Sequence, residues 1–595
     1  MVFPDCAKRA CSGPLVFLFC VALASLQAQS PRATVVLAVV DEDGVAVPGA
    51  QVTITEPGLA PAQLRTDFAG NCRYQLALRS YYSIAVSKPG YYETNETGVE
   101  ASLGSVKVVL AHEQMVREQV NVTASAPGID PEQVSDTLTM NTPEIVNIPY
   151  PTSHDIRRLL PFNPGIVADA TEQVHVAGSE TWETLDTMDG FDIRSPVGGS
   201  LSLRVSADAV RSIDTESTRY PVEFGRATGG VIALYTGMGD DKFRFNMTNF
   251  VPSYRDVNGG VHFDQFVPRF AFSGPIKRGR AWWYDGLEIE YDNIYVSELP
   301  ANANTDELIR GSNLVKAQYN VTPANILTAG LLYNNYHSPY DGISALVPQQ
   351  STTKRNTVAW LPYVRDQQSF SRGALLDVGI GNVSIRDGYE PYGNAPYAIT
   401  PELTQGSYFE NETGRSDRLE GNGTLYLPER HWLGLHNLKA GIDADRIGYD
   451  QKQSFAPVNY LREGSAPEES NGTLERLSNF APAPAFAMHN AEIGAWIEDQ
   501  WHWAKGWLIE PGLRFDWDEI VRRPLFSPRV AAVFAPGDKS NTKISAGIGH
   551  YYEHTQLEYL TQAFTGIRYD TYYASDGKTP TGPPQQTVFT ANDGT

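Results

Sequence analysis

The chain has 595 residues and a formal net charge of −22, and it is 11% aromatic but only 19% charged. That length exceeds what one compact core accommodates, so several units are expected. The acidic balance, with no basic stripe, speaks against nucleic acid as a partner.

The N-terminal stretch places Lys8 and Arg9 before an apolar core from Leu15 to about Ala24, with small residues near Ala28. This is the pattern of a secretory signal, assigned to residues 1–28. The apolar core is shorter than the roughly 20 residues needed to span a bilayer. Cys6, Cys11 and Cys20 fall inside residues 1–28, so an exported chain keeps Cys72 alone and forms no intrachain disulfide. No later apolar run is long enough for a membrane helix. Any membrane this chain occupies must therefore be crossed by strands.

Residues 33–112 read as a β-sandwich. Short alternating strands are separated by turn residues such as Gly44, Asp67 and Gly70. In VPGAQVTIT, Val52 and Ile54 share one face, and Thr53 and Thr55 the other. The pieces VDEDGVAVPGAQVTI, TDFAGNCRYQL, YYSIAVSKPGYY and VKVVL resemble the carboxypeptidase regulatory-like domain. That resemblance implies a non-catalytic module with a carbohydrate-binding-like fold. Residues 113–143 follow as a Pro/Thr/Asn-rich linker, expected to be extended. Within it Ser135, Asp136, Thr137, Leu138, Thr139 and Met140 alternate in character. A peptide of this kind can add a strand to a partner's sheet edge, although a plain linker reads the same way.

From 144 to 240 the pattern is mixed. A helix is predicted over Ser153–Leu160, capped by Ser153 with Asp155 in its first turn. Strands follow, with a turn at Asp189–Gly190, and the run ends in EFGRATGGVIALYTGMGDDKFRFN. TMDGFDI, DAVRSIDTES and that last run resemble the plug of TonB-dependent outer-membrane receptors, particularly Oar-like ones with a regulatory-like domain in front. The resemblance implies that Glu223, Arg226, Gly229 and Gly230 sit at the contact between plug and barrel wall. The glycines would allow close backbone approach there. It also makes Ser135–Met140 the candidate TonB box, with EQVNVTA (Glu118–Ala124) as a rival position.

Beyond 241 the chain alternates repeatedly. In GWLIEPGLRFDWDE, Trp507, Ile509, Pro511, Leu513, Phe515 and Trp517 share an apolar face opposite Glu510, Arg514, Asp516 and Asp518. Val315, Ala317, Tyr319 and Val321 align likewise, as do Leu327, Ala329, Leu331 and Tyr333 across a tight turn at Pro323–Asn325. An apolar face with aromatic ends and a polar opposite face is what a transmembrane strand needs. The polar intervals 338–358, 384–415 and 450–485 read as long loops.

Residues 241–595 hold about 12 to 14 wall strands, against about 22 in plugged transporters. The tail SDGKTPTGPPQQTVFTANDGT reads as loop and lacks a closing amphipathic strand. The expectation is a C-terminally truncated chain whose wall stays open, with its first and last strands unpaired.

Two His motifs compete with this reading. HYYEH (His550–His554) matches a zinc-peptidase pattern, but its alternating, Gly-containing context is strand rather than helix. HNAE (His489–Glu492) sits in another wall strand.

The fold expectation is thus mainly β, with an N-terminal β-sandwich, a small α+β plug and an incomplete antiparallel transmembrane β-barrel. The function implied is an exported outer-membrane receptor, not an enzyme, without cofactor or metal. Its partners would be a periplasmic TonB-type energy-coupling protein, outer-membrane lipid and an extracellular ligand. Siderophore, saccharide, cobalamin and peptide all remain open. A surface binding or adhesion protein without transport is the alternative.

Overall fold

The computed structural model describes residues 32–589, save 42–46, 48, 57–58, 67–69, 78–80, 89–90, 101–104, 112–133, 150–154, 171, 258–259, 323, 371–373, 429, 464–471, 483–484, 537–541 and 562–565. The signal at 1–28, the rival box at 118–124, Gly44, Asp67 and Ser153 lie outside the described residues. The chain divides into two compact units, Met1–Val116 and Arg117–Thr595.

The first unit pairs a three-stranded sheet with a four-stranded one. In the first, Arg32–Asp41 lies between Asn71–Ala77 and Ser105–Leu110. The second runs Ala62–Arg65, Gln51–Thr55, Tyr81–Ser87, Thr94–Glu100. Alternate residues meet in one core, where Val35, Leu37, Val52, Ile54, Ile84 and Val108 are buried. Val52 and Ile54 point inward, and Thr53 and Thr55 do not. Cys72 is buried in the same core.

The second unit has an inner part and a wall. The inner part holds a five-stranded sheet in the order Phe191–Asp192, Thr184–Met188, Gly230–Thr236, Val210–Glu216, Thr137–Asn141. Thr184–Met188 and Gly230–Thr236 run parallel, and the other neighbours antiparallel. The end of the expected linker is therefore not free: Thr137–Asn141 is an edge strand, followed by the helix Thr142–Asn147. The later helix is also shorter than predicted, spanning Ile156–Leu159. Asp155 is its N-cap rather than a first-turn residue, and its carboxylate accepts the Arg157 N–H at 2.9 Å.

The wall is a 16-stranded sheet, thirteen strands in one unbroken path and three off it. The path starts at Arg244–Thr248, which pairs with Arg269–Lys277, and ends at Ile544–Gly549, which pairs with Leu525–Phe534. Among the described residues these two end strands do not pair with each other. Short turns such as Thr322/Asn325 and Ala504/Trp507 lie at one end of the wall, and the long connections 342–352, 392–409 and 456–485 leave from the other, so the wall has a short-turn end and a long-loop end.

The wall is apolar outward and polar inward. Along Trp507–Asp518, Trp507, Pro511 and Leu513 are exposed, while Glu510, Arg514, Asp516 and Asp518 are buried. In Thr305–Thr322, Val315, Tyr319 and Val321 are exposed, and Lys316, Gln318 and Asn320 buried. A water-soluble barrel has the reverse arrangement; this one suits hydrocarbon outside.

The expected loops are shorter than predicted. Strands Asn325–Asp341, Thr353–Ser369, Leu375–Pro391 and Glu410–Tyr426 run well into the intervals 338–358 and 384–415. The backbone ladder needs only hydrogen bonds, so it continues past the apolar band, where alternation gives no sign of it. Part of what remains folds into a separate six-stranded sheet: Thr404–Gln405, Tyr397–Ile399, Val458–Arg462, Thr473–Phe480, Gly566–Tyr572, Gln585–Phe589. The tail, read as loop, therefore supplies that sheet's last strand. Tyr397, Phe409 and Val458 are its small core.

Candidate functional site

The junction between inner part and wall is built from charge. Arg226 reaches four wall carboxylates: Asp443, Asp445, Glu492 at 3.1 Å and Asp516 at 3.7 Å. Its own positive φ of 53° turns the chain so that the guanidinium leaves the inner part. Arg514 answers from the wall, pairing with Asp443 and Asp516 at 2.8 Å each and donating to the Glu223 carbonyl at 3.1 Å. The Glu223 carboxylate accepts from Lys439 at 3.0 Å. Further round, Asp192 holds both Arg194 and the wall's Arg418 at 2.8 Å. Arg204 binds wall residues Glu288 at 2.6 Å and Glu290 at 2.8 Å.

Glu223 and Arg226 thus lie against the wall, whereas Gly229 and Gly230 lie elsewhere. A side chain at Gly229 would first meet Ser179 and Glu183, and one at Gly230 the Glu216 carbonyl and Val176, all residues of the inner part. Gly239, in the turn GMGDD, meets the backbone of the wall. An added Cβ there would lie 2.3 Å from the Trp283 carbonyl oxygen and 2.9 Å from the Gly274 nitrogen. The next acids pin that exit. Asp241 accepts the Gly279 N–H at 2.7 Å and the Trp282 indole N–H at 2.8 Å, and Asp240 holds Arg244.

Asp189 was read only as a turn residue. It does turn the chain, with φ 48°, but its carboxylate also accepts from Lys316 at 2.8 Å and Tyr363 at 2.9 Å. Nothing local in the sequence distinguishes it from an ordinary Asp-Gly turn.

The strand Thr137–Asn141 lies in register with Val210–Glu216, with Thr137 opposite Glu216 and Met140 opposite Ile213. Thr139 donates to the Asp214 carboxylate at 2.8 Å, and Asp136 N–H to the Thr218 carbonyl at 3.3 Å. Ser135 and Met140 are buried; Leu138 is exposed. Just upstream, Val134 packs with the wall residues Leu508, Ala531 and Val533, and its carbonyl accepts from Arg219 at 2.9 Å.

Burial pushes the Glu216 carboxyl up to about 8, helped by repulsion from Glu223 and Asp214. A raised carboxyl pKa means that the folded state keeps a proton the unfolded chain has lost. That stability is fully present below pH 4.5, the ordinary value, and is lost as pH rises through about 8. Protection of Thr137–Asn141 against hydrogen exchange, corrected for the intrinsic base-catalysed rate, is therefore expected to fall between pH 4.5 and about 8. Glu216→Gln should flatten that fall; an unchanged pH profile in that variant would show that Glu216 does not govern the strand.

HYYEH does not form a metal-binding face. His550 to Gln556 is irregular, and the helix begins only at Leu557. The segment instead dips from the last wall strand onto the inner part. His554 fills the space beside Gly199, Glu553 accepts from Thr228 at 2.7 Å, and Glu558 N–H donates to the Val197 carbonyl at 3.3 Å. Burial and the neighbouring Arg194 hold the His554 imidazole below its usual pKa. In HNAE, Glu492 is an Arg226 partner and His489 an exposed strand residue.

An inside-out wall enclosing a sheet tied to it by ion pairs is the arrangement to compare with known proteins. Residues 378–592 match the family described as TonB dependent receptor-like, beta-barrel. Over those residues the chain is similar to a TonB-dependent receptor β-barrel domain. It is also 22% identical to the TonB-dependent transporter Oar of Myxococcus xanthus, over 87% of this chain and 61% of that protein. It therefore spans about three fifths of that relative's length. Among solved structures, the outer membrane transporter YddB from Escherichia coli aligns with a TM-score of 0.57 and 14% identity, covering 76% of this chain and 69% of that one. A ferric enterobactin receptor variant from Pseudomonas aeruginosa, solved with enterobactin, aligns at 0.55 and 16%, covering 74% and 70%. At such identities the likeness is one of fold: a TonB-dependent receptor barrel around an inner, plug-like sheet.

Proposed function

We propose that the chain acts as an outer-membrane TonB-dependent receptor that takes up an extracellular ligand. A periplasmic TonB-type protein would energise it by engaging Ser135–Met140. The observation that carries this reading is that the segment is the edge strand of the inner sheet, at the short-turn end of the wall. An edge strand has one free ladder, which an extended partner can pair with. It can also be peeled from its neighbour one hydrogen bond at a time, each worth only about 0.5–1.5 kcal/mol net. On this reading the long-loop end faces outward, the regulatory-like module occupies 33–112, and no covalent chemistry is involved.

The test is deletion of Ser135–Met140 in cells that carry the receptor. Uptake should be lost while ligand binding at the surface persists. Retained uptake would overturn the assignment of the box. A protein that binds at the surface but never imports, with or without the segment, would be an adhesion protein instead.

A further inference from the structure

We propose that the lumen-facing belt at the long-loop end, centred on Glu410 and Glu412, binds a ligand through an ammonium group. The inference rests on the receptor reading above and names the chemistry of its ligand.

Neighbouring wall strands each send alternate side chains inward here. On one side of the belt, charge is balanced: Arg355 pairs with Asp387 at 3.1 Å and lies over the Tyr336 ring at 5.7 Å. On the other side it is not. Glu410 and Glu412 are two residues apart on one face of Glu410–Tyr426, the first buried and the second half-buried. Among the described residues their hydrogen-bond partners are neutral. The Gln453 amide donates to Glu412 at 2.6 Å and reaches Glu410 at 3.4 Å, and Tyr389 hydrogen-bonds to Glu412. One amide shared by two carboxylates supplies no charge.

A second observation also points to a missing donor. Gln451, on the same inward face as Gln453, is 4% exposed, and its Oε1 has no hydrogen-bond partner. A buried carbonyl of this kind is normally satisfied. The belt thus offers acceptors and negative charge. An ammonium brings three donors and the opposite charge. Tyr389, which hydrogen-bonds to Glu412, and Tyr449, which shares the inward face with Gln451 and Gln453, add aromatic side chains to the belt. An anion would be repelled, and a neutral polyol would leave the charge uncompensated. Glu558, on the segment seated against the inner part, acts electrostatically on Tyr449, so a bound ammonium would also face the element that touches Val197.

The test uses the full chain refolded in detergent, with calorimetry at low and physiological salt. The probes are N-acetylated trilysine amide, spermidine, N-acetylated triglutamine amide and maltotriose. Both amines, or one of them, should bind, more weakly at high salt. The Glu410→Gln/Glu412→Gln double variant should lower that affinity by about tenfold or more. Tyr449→Leu should weaken it, and Lys354→Gln, on the outer face, should not. Trilysine binding alone marks a peptide ligand, and spermidine binding alone a free polyamine. Either outcome supports the site. No binding of either amine, equal binding by the double variant with an unchanged circular dichroism spectrum, or preference for triglutamine or maltotriose would overturn it. Failure here with box-dependent uptake intact would leave the receptor reading standing. Amine binding without any uptake would do the reverse.

Discussion

Arg226→Ala is expected to loosen the inner part from the wall by roughly 3–5 kcal/mol, the cost of removing one partner from a buried charged cluster. The side chain is only 13% exposed, and the carboxylates it reaches on Asp443, Asp445, Glu492 and Asp516 are 18%, 8%, 3% and 7% exposed. Arg514 would still serve Asp443 and Asp516. Asp445 and Glu492 would lose their nearest cation while remaining buried. Arg226→Lys should fall between the two, because an ammonium keeps the charge but lacks the planar fork that spans several acceptors. The measurement is the urea midpoint for exposure of the inner part, followed by proteolysis of protein refolded in detergent. Midpoints that coincide for the native protein and the alanine variant would show that the cluster contributes nothing to docking.

Gly239→Ala should be the most damaging single methyl in the inner part's exit. The added carbon would lie 2.3 Å from the Trp283 oxygen and close to both backbone atoms of Gly274. These are ladder atoms of two paired wall strands, so no rotamer change relieves the clash. The strands Arg269–Lys277 and Ala281–Tyr295 would have to move apart from the turn. The cost should reach or exceed the upper end of the roughly 1–3 kcal/mol typical of overpacking. Gly421→Ala is the control, since a Cβ there meets nothing within 4 Å. Thermal unfolding followed by far-ultraviolet circular dichroism should separate the two variants clearly. Equal midpoints would mean that the turn is free to shift. Gly230→Val should also be harmful, but through the inner sheet, where the Glu216 carbonyl lies 2.9 Å from its Cβ position.

The two glycine sites show where reading the sequence succeeds and where it stops. GG announces close approach, yet nothing in it says which backbone approaches. The pair at 229–230 serves the inner sheet, and Gly239, in the turn that follows, meets the backbone of the wall. Likewise Ser135–Met140 alternates like a strand, but only pairing with Val210–Glu216 makes it an edge strand. The same limit applies to HYYEH, a match to a metal motif that packs as a docking segment because its backbone is irregular where a metal site needs a helix.

What the sequence determined by itself is the wall's polarity, its strands of alternating face, the inward face of the sandwich at Val52 and Ile54, and the Arg226 cation. These are properties of neighbours in the chain, because side chains alternate with a period of two whatever lies opposite. Tertiary structure alone decided the partners of Arg226, more than 200 positions away at Asp443 and Asp445, the second role of Asp189, the six-stranded sheet over the long loops and the unneutralised pair at Glu410 and Glu412. Each of these depends on which strands the wall brings side by side, and a local pattern carries no record of that distance.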